Sequence, residues 1–160
     1  MLLDFIYNDG GRQKAGYKGS TQDCVTRAIA IATGKPYKMV YEDIRNIQKE
    51  YSKTRRDWVA RNQVCSPRVG VHKEISRLYL TKLGWKWKPL MKIGTGCTTH
   101  LRKGELPNRT IIAQCSKHLV CVKKGVINDL YDCSRDGNRC VYGYYYKPNL
   151  IEKFIDLLKK

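Results

Sequence analysis

The 160-residue sequence has few acidic residues and no long apolar run. Its 31 lysines and arginines stand against only 14 aspartates and glutamates, which gives a net charge of +17. Because 42% of the residues are apolar, the chain can bury a core, and this composition argues against a disordered basic tail. No apolar stretch approaches the roughly 20 residues that a membrane-spanning helix needs. The first residues also lack the basic segment of a signal peptide, so we expect a cytoplasmic protein that does not bind membranes.

The seven cysteines include none of the CxxC pairs that are typical of zinc knuckles. Because the expected compartment is reducing, we expect no disulfide framework. The tightest Cys/His group is Cys115-x-x-His118-x-x-Cys121, followed by Cys97-x-x-His100. On a strand, however, His118 would point away from Cys115 and Cys121. We therefore expect no metal and no cofactor, and we interpret most cysteines as small buried side chains.

Helix signals dominate the first half of the chain and strand signals the second. Apolar spacing predicts helices within residues 21–90, after a glycine-rich loop at 8–20. Runs of β-branched and aromatic residues predict strands within residues 109–147, and a tail helix follows at 149–159. No linker interrupts the chain. We therefore predict one α+β domain over residues 1–160, with N-terminal helices packed on a C-terminal antiparallel sheet.

Cys24 is the candidate nucleophile because it stands at the start of a predicted helix. Asp23 or Thr21 would cap this helix, and Gly34 would end it. The unpaired N–H groups and the dipole at a helix N-terminus stabilise a thiolate. A thiol nucleophile also needs a general base and a third group that orients the base. His118, which opens a predicted strand, is the candidate base.

The third member of this group follows from the hairpin after His118. With a turn centred on residues 123–124, Asp129 lies directly opposite His118. With residue 125 in the turn as well, Asp129 becomes a near or diagonal neighbour of His118. We therefore predict that Asp129 orients His118, with Asp132 and Asn128 as alternatives.

The order of these residues resembles that of papain-like cysteine hydrolases. The matching pieces are Gln22-Asp23-Cys24 at a helix start, His118 at a strand start and Asp129 after the next strand. More narrowly, the chain resembles small uncharacterised papain-like proteins of phages and bacteria. The resembling segments, which cover most of the chain, are Tyr7–Arg12, Asp23–Tyr37, Met91–Gly94 and Ser134–Tyr146. The resemblance implies a papain-like fold and a Cys-His-Asp triad, and it implies no substrate.

The sequence departs from the papain-like pattern at the oxyanion donor. That pattern has a glutamine six residues before the nucleophile, where this chain has Lys18. Gln22 and Asn8 are the candidate amide donors, and the backbone N–H of Cys24 would be the second donor.

A basic and aromatic window covers residues 52–88. It contains ten lysines and arginines, two acidic residues and all three tryptophans. This composition suits a phosphate backbone with exposed bases, and it equally suits an acidic protein partner. A solvated basic surface above buried tryptophans is the third interpretation. The binding candidates are Arg55, Arg56, Trp58 and Arg61.

Two functions follow from these features. The first is a thiol hydrolase that cleaves a peptide, isopeptide or other amide bond through a Cys24 thioester, with an acyltransferase as a close variant. Its substrate would be a protein or peptide, and a phage origin would fit action on a host or phage protein in the host cytoplasm. The alternative is a non-catalytic papain-like binding module. Its basic surface would hold nucleic acid or an acidic host protein, for example as an inhibitor of host defence.

Overall fold

The computed structural model describes residues 1–20, 22–62 and 66–159, which form an α+β structure. Within these residues most of the helices come before most of the strands, as the sequence pattern predicts. The helices are α1 (Cys24–Thr33), α2 (Tyr37–Thr54), α3 (Trp58–Asn62), α4 (Lys73–Lys82) and α5 (Leu150–Leu158). The strands are β1 (Asp4–Tyr7), β2 (Lys86–Pro89), β3 (Thr110–Cys115), β4 (His118–Lys123), β5 (Val126–Asp129) and β6 (Gly143–Tyr146).

The six strands form one mixed sheet in the order β1-β5-β4-β3-β6-β2. The pairs from β5 through to β2 are antiparallel, whereas the edge strand β1 runs parallel to β5. The prediction of a purely antiparallel sheet is therefore wrong at this edge. Hairpins force antiparallel pairing only between strands that a short turn joins. Since all of the helices α1–α4 separate β1 from β5, either direction was open to this pair.

Two short turns fix the hairpins at the centre of the sheet. Residues 116–117 join β3 to β4, and residues 124–125 join β4 to β5. Lys124 and Gly125 both have left-handed backbone, with φ of 48° and 81°. Two successive left-handed residues match the twist of the flanking strands in a two-residue hairpin turn. The turn therefore sets the register in which Val122 pairs with Ile127.

Helix α1 lies against the central strands on one face of the sheet. All of its residues from 25 to 31 are buried, and it ends at Gly34, which has a φ of 72°. The left-handed glycine closes the helix because its N–H bonds back to the Ala30 carbonyl at 2.9 Å. Apolar residues of α2 and α4 extend the same core, which reaches Ile112 and Tyr145 of the sheet. Burial of each such apolar side chain contributes about 1.5–3 kcal/mol to the free energy of folding.

Loops rather than helices cover the opposite face of the sheet. Leu101 and Val141 from these loops pack on the strand residues Ile111, Val120 and Val122. A disulfide between Cys97 and Cys140 joins the loop before β3 to the loop before β6. This disulfide runs against the expectation for a reducing compartment. Three further cysteines, at 115, 121 and 133, are buried as expected, and Cys65 lies outside the described residues.

Helix α5 contacts the rest of the protein through polar side chains. Asn149 and Glu152 form a capping box at its start. Glu152 also accepts from Arg109 Nη1 at 2.8 Å, and Asp156 pairs with Lys86. No residue of α5 is buried. Among the described residues, none of the helices has both the length and the apolar character needed to cross a bilayer.

Candidate active site

His118 and Asp129 meet where β4 begins and β5 ends. The register pairs Cys121 with Asn128, which puts Asp129 diagonally across from His118 on the same side of the sheet. The Nε2 atom of His118 lies 2.6 Å from the Oδ2 atom of Asp129. Direct opposition, expected from a turn centred on residues 123–124, is wrong because Gly125 belongs to the turn. The diagonal arrangement brings the two side chains into hydrogen-bond contact.

Cys24 reaches the same place from the first turn of α1. The thiol lines one cleft with His118 and Leu119, and both residues act on its pKa. Because Asp129 occupies Nε2 of the imidazole, Nδ1 is the ring nitrogen left for the thiol. The structure thus brings together the three residues of the predicted triad. The thiol is half-buried, whereas His118 and Asp129 are buried.

The surroundings of Cys24 favour the thiolate. Burial raises the pKa of this thiol, but the hydrogen bonds from His118 and Leu119 and the charges of His118 and Arg27 outweigh burial. The pKa of Cys24 therefore lies below its ordinary value. A thiolate needs no separate deprotonation step before it attacks a carbonyl carbon.

The surroundings of His118 favour the imidazolium. Burial lowers the pKa of this side chain, but hydrogen bonds to Asp129, Cys133 and Cys24 raise it to about 12. Burial also acts to raise the pKa of Asp129, yet the bond to His118 and the charges of His118 and Arg27 hold it below its usual range. The two shifts together favour a thiolate–imidazolium pair over a neutral thiol beside a neutral imidazole.

A buried chain of ion pairs holds the Asp129 oxygen that does not contact His118. Arg27 Nη2 lies 3.1 Å from Asp129 Oδ1, and Arg27 Nη1 pairs with Asp23. Asp23 also accepts from Arg12 Nε at 3.1 Å and from the Tyr37 hydroxyl at 2.5 Å. The expected capping role of Asp23 is wrong, because its side chain makes no bond to the α1 backbone and binds two arginines instead. The other predicted cap, at residue 21, lies outside the described residues.

Arg12 ties the glycine-rich loop to this ion-pair chain. Its guanidinium donates to the carbonyls of Tyr17, Lys18 and Gly19 at 3.0, 3.2 and 3.3 Å. The loop therefore folds around a buried cation that also holds Asp23, the residue before Cys24. Gly10 lets this loop approach α1 closely, since a Cβ there would lie 3.1 Å from the Arg27 carbonyl oxygen. Arg12 and Arg27 were not predicted from the sequence, although the spacing of Asp23 and Arg27 on one helical face was a usable signal.

Three of the alternative site residues are engaged elsewhere. The Asn8 amide donates to Asn128 Oδ1 at 3.1 Å, and its oxygen accepts from the Gly10 N–H at 2.9 Å. Asn128 also donates to the Val126 carbonyl. Asp132 accepts from the backbone N–H of Ser134 at 2.9 Å. Asn8 is therefore not available as an oxyanion donor, and neither Asn128 nor Asp132 replaces Asp129 at the imidazole.

A cleft of about 530 Å³ opens over Cys24 and His118. Gln22, the other oxyanion candidate, lines it beside Cys24. The Tyr131 ring lies 5.9 Å from the imidazole and forms part of the wall. Other lining residues are Val69, Gly70, Val71, Lys73, Ser76, Gln114, Lys117 and Leu119. Among the described residues this lining includes Lys73, Lys117 and Arg27 and no carboxylate, so the cleft favours neutral or anionic groups.

Cys133 is a further buried residue at the imidazole that sequence reasoning missed. Its sulfur and the donor atoms of His118 and Asp129 all lie within 4.8 Å of one another. Two ligands of one tetrahedral zinc ion stand about 3.3 Å apart when both bonds are near 2.0 Å. The 2.6 Å contact between His118 and Asp129 is shorter. In this arrangement the two groups share a proton and do not form a ligand set.

The basic window divides into a buried part and an exposed part. Trp85 is buried, and the Trp87 ring packs 4.8 Å from the Tyr145 ring. Trp58, in contrast, is 62% exposed, and its ring lies 6.4 Å from the His72 ring. The three arginines of the window that were singled out with Trp58 are also exposed: Arg55, Arg56 and Arg61.

Comparison of the chain with protein-family models, with curated proteins and with solved structures gave no match. The functional assignment therefore depends on the chemistry of the site itself.

Proposed function

We propose that the protein is a papain-like thiol hydrolase that cleaves a peptide, isopeptide or other amide bond. The observation that supports this proposal most strongly is the 2.6 Å contact of His118 with Asp129, made by an imidazole that lines one cleft with the Cys24 thiol and lowers its pKa. A nucleophile, a base and an orienting acid in this order are the parts that acyl transfer through a thioester requires. The open cleft above them gives a polypeptide access to the thiol.

In the first half of the reaction the Cys24 thiolate attacks the amide carbonyl carbon. The oxyanion of the tetrahedral intermediate is stabilised by the backbone N–H of Cys24 and the side chain of Gln22. His118 then donates its Nδ1 proton to the leaving amine, and the C–N bond breaks. The products are a free amine and a Cys24 thioester.

In the second half, neutral His118 takes a proton from a water molecule, which attacks the thioester carbonyl. Collapse of the second intermediate releases the carboxylic acid and restores the thiolate–imidazolium pair. An amine in place of water would make the same intermediate an acyltransferase intermediate. Asp129 keeps the imidazole in the required orientation in both halves.

Acylation by small activated esters tests this proposal without knowledge of the natural substrate. We expect p-nitrophenyl acetate to release p-nitrophenol in a burst and to leave one acetyl group on Cys24, detected by intact and peptide mass spectrometry. Cys24→Ala should abolish the burst, and Cys121→Ala, at a buried cysteine that does not line the cleft, should retain it. Turnover by Cys24→Ala at the wild-type rate would overturn the proposal.

The lysines of the cleft add an expectation about substrate charge. Lys73 and Lys117 line it, and the part of the chain that the structure describes adds no carboxylate, so an acyl group with its own carboxylate is favoured. We expect a succinyl ester to acylate Cys24 faster than a butyryl ester, and the difference to shrink in Lys73→Gln. Equal rates of Cys24 acylation by the two esters would contradict the expected preference for anionic acyl groups. They would not contradict the proposal that the protein is a hydrolase.

A second candidate function is a binding module for nucleic acid, and the exposure of Trp58 favours it. An exposed ring among exposed arginines suits single-stranded nucleic acid, because bases stack and phosphates pair with cations. We expect binding of a labelled oligonucleotide to weaken steeply with salt, and Arg55→Gln with Arg56→Gln to flatten that slope. Trp58→Ala should cost about 1–3 kcal/mol of binding free energy. If the arginine variants left the salt slope unchanged, this surface would not be the nucleic-acid binding site. If the protein bound an acidic protein and no oligonucleotide, the partner of this surface would be a protein.

A further inference from the structure

The loop before β3 brings Cys97, His100 and Glu105 together with Cys140, and none of the four belongs to the candidate catalytic group. This loop spans residues 90–109 and contains no helix or strand of its own. Loops of this length without secondary structure are usually functional or are held by a cross-link. Here the cross-link is the disulfide between Cys97 and Cys140.

His100 stands next to this bond and its ring is already oriented. The Nε2 atom of His100 lies 3.4 Å from Cys97 Sγ. The Nδ1 atom on the other side of the ring lies 3.2 Å from Glu105 Oε2. The same carboxylate oxygen accepts the backbone N–H of His100 at 2.6 Å. The carboxylate therefore fixes the tautomer that leaves Nε2 free to bind an electrophile.

The backbone holds the second cysteine at the same place. His100 and Cys140 are partners in an isolated antiparallel bridge, and the Leu101 N–H bonds the Arg139 carbonyl at 2.9 Å. Leu101 itself is fully buried in the core of that face. The position of the three side chains is therefore set by backbone pairing and by packing as well as by the disulfide.

The distances suit a tetrahedral zinc ion. With a Zn–S bond of about 2.3 Å and a Zn–N bond of about 2.0 Å, sulfur and nitrogen ligands of one ion stand about 3.5 Å apart. The separation of Cys97 Sγ and His100 Nε2, 3.4 Å, is close to that value. A carboxylate on the far nitrogen of a ligating histidine is also the usual outer support of a zinc site.

We propose that Cys97, His100 and Cys140 form a zinc site in the reduced protein, with Glu105 supporting the histidine and one water completing the coordination. A dithiol reductant first reduces the disulfide to two thiols and is itself oxidised to a disulfide. The two thiols then bind Zn²⁺ as thiolates and release two protons, while His100 binds as the neutral imidazole. The loop is thus fastened by a disulfide under oxidising conditions and by zinc under reducing conditions. This proposal is independent of the catalytic one.

Metal titration of the full chain tests the site. Protein reduced with a dithiol, freed of reductant under anaerobic conditions and titrated with Co²⁺ should show sulfur-to-cobalt charge-transfer absorption that one equivalent of Zn²⁺ abolishes. Oxidised protein should show none. Cys140→Ser and His100→Ala should lose the absorption, and Glu105→Gln should weaken zinc affinity about 10–100-fold. Cys133→Ser is the matched control for the other Cys/His group and should retain it.

Alkylation of the wild-type protein tests the same site without any variant that could fail to fold. In the reduced protein, Zn²⁺ should protect Cys97 and Cys140 together from alkylation, as read by peptide mass spectrometry, and should leave Cys24 labelled. Absence of metal binding by the reduced protein would overturn the proposal. Protection of Cys24 or Cys133 in place of Cys97 and Cys140 would overturn it as well, because the metal would then lie at the catalytic imidazole.

Discussion

The imidazole of His118 contacts three side chains that act on it differently. Asp129 bonds its Nε2 atom at 2.6 Å, and Cys24 and Cys133 both act to raise the pKa of the ring. Arg27 and the backbone N–H of Leu130 in turn hold the Asp129 carboxylate at 3.1 and 2.8 Å. Asp129 therefore both orients the His118 imidazole and compensates a buried arginine. A substitution at this position is expected to affect catalysis and stability together.

Asp129→Asn should lower the rate of Cys24 acylation by a factor on the order of 10²–10⁴, because an amide neither fixes the tautomer nor stabilises the imidazolium. Burst kinetics with p-nitrophenyl acetate measure this rate. The same variant should lose stability in urea unfolding, since Arg27 keeps its charge without that carboxylate. Asp132→Asn, on an exposed residue, is the control and should change neither quantity. Equal losses in both variants would refute the role of Asp129.

The hairpins show which features of the elements the sequence could predict. β-branched runs indicated β3, β4 and β5, but the exact pairing depended on whether Gly125 belonged to the turn. The left-handed backbone at residues 124 and 125 makes these two residues the turn and so determines how β4 pairs with β5. The apolar run and Gly34 likewise predicted α1. The parallel pairing of β1 and the bond between Cys97 and Cys140 were not predictable, because they join positions far apart in the sequence.

The glycine-rich loop gives an element-scale prediction. Arg12→Met would leave the loop carbonyls without their donor and Asp23 without one of its two arginines. Breaking a buried pair by removing one partner typically costs about 3–5 kcal/mol, and we expect a loss of that size in urea unfolding. Limited proteolysis should cut the variant first within residues 12–20. Lys14→Met, on an exposed residue of the same loop, should stay within about 0.5 kcal/mol of wild type. A stable Arg12→Met protein with an uncut loop would contradict this account.

At the scale of the whole molecule, one buried line of charge connects the loop, α1 and the hairpin. It runs from Arg12 through Asp23 and Arg27 to Asp129 and His118. The residues come from three segments of the chain: residue 12, residues 23–27 and residues 118–129. The sequence predicted the His118–Asp129 end of this line, where chemistry dictates the residue type. It did not predict the links through Arg12 and Arg27, where tertiary packing selects the partner.

This line makes the stability of the protein depend on pH in a defined window. The lowered pKa of Asp129 contributes stability above its unfolded value of about 3.9, and this is lost as pH falls through the folded pKa. The raised pKa of His118 contributes stability that is complete below about 6.5 and is lost as pH rises toward about 12. The joint contribution is therefore largest between about pH 4 and 6.5.

Urea unfolding of wild type and Asp129→Asn across this range isolates the contribution of the pair. The difference in unfolding free energy between the two proteins should be greatest inside the window and should shrink on both sides of it. A constant difference across the range would mean that the pair does not titrate as a folded-state unit.

The central claim is that Cys24 is a thiolate activated by His118, and competitive alkylation of the native protein tests it most directly. Iodoacetamide labelling at a series of pH values, resolved by peptide mass spectrometry, reports the thiolate fraction of each cysteine. Burial raises the pKa of Cys115 to about 11 and that of Cys121 to about 12, so these two serve as internal comparisons. We predict that Cys24 is labelled well before them, with a midpoint below the ordinary value of about 8.5 that rises in His118→Ala. Labelling of Cys24 no faster than Cys115 and Cys121, or a midpoint that His118→Ala does not move, would contradict the account.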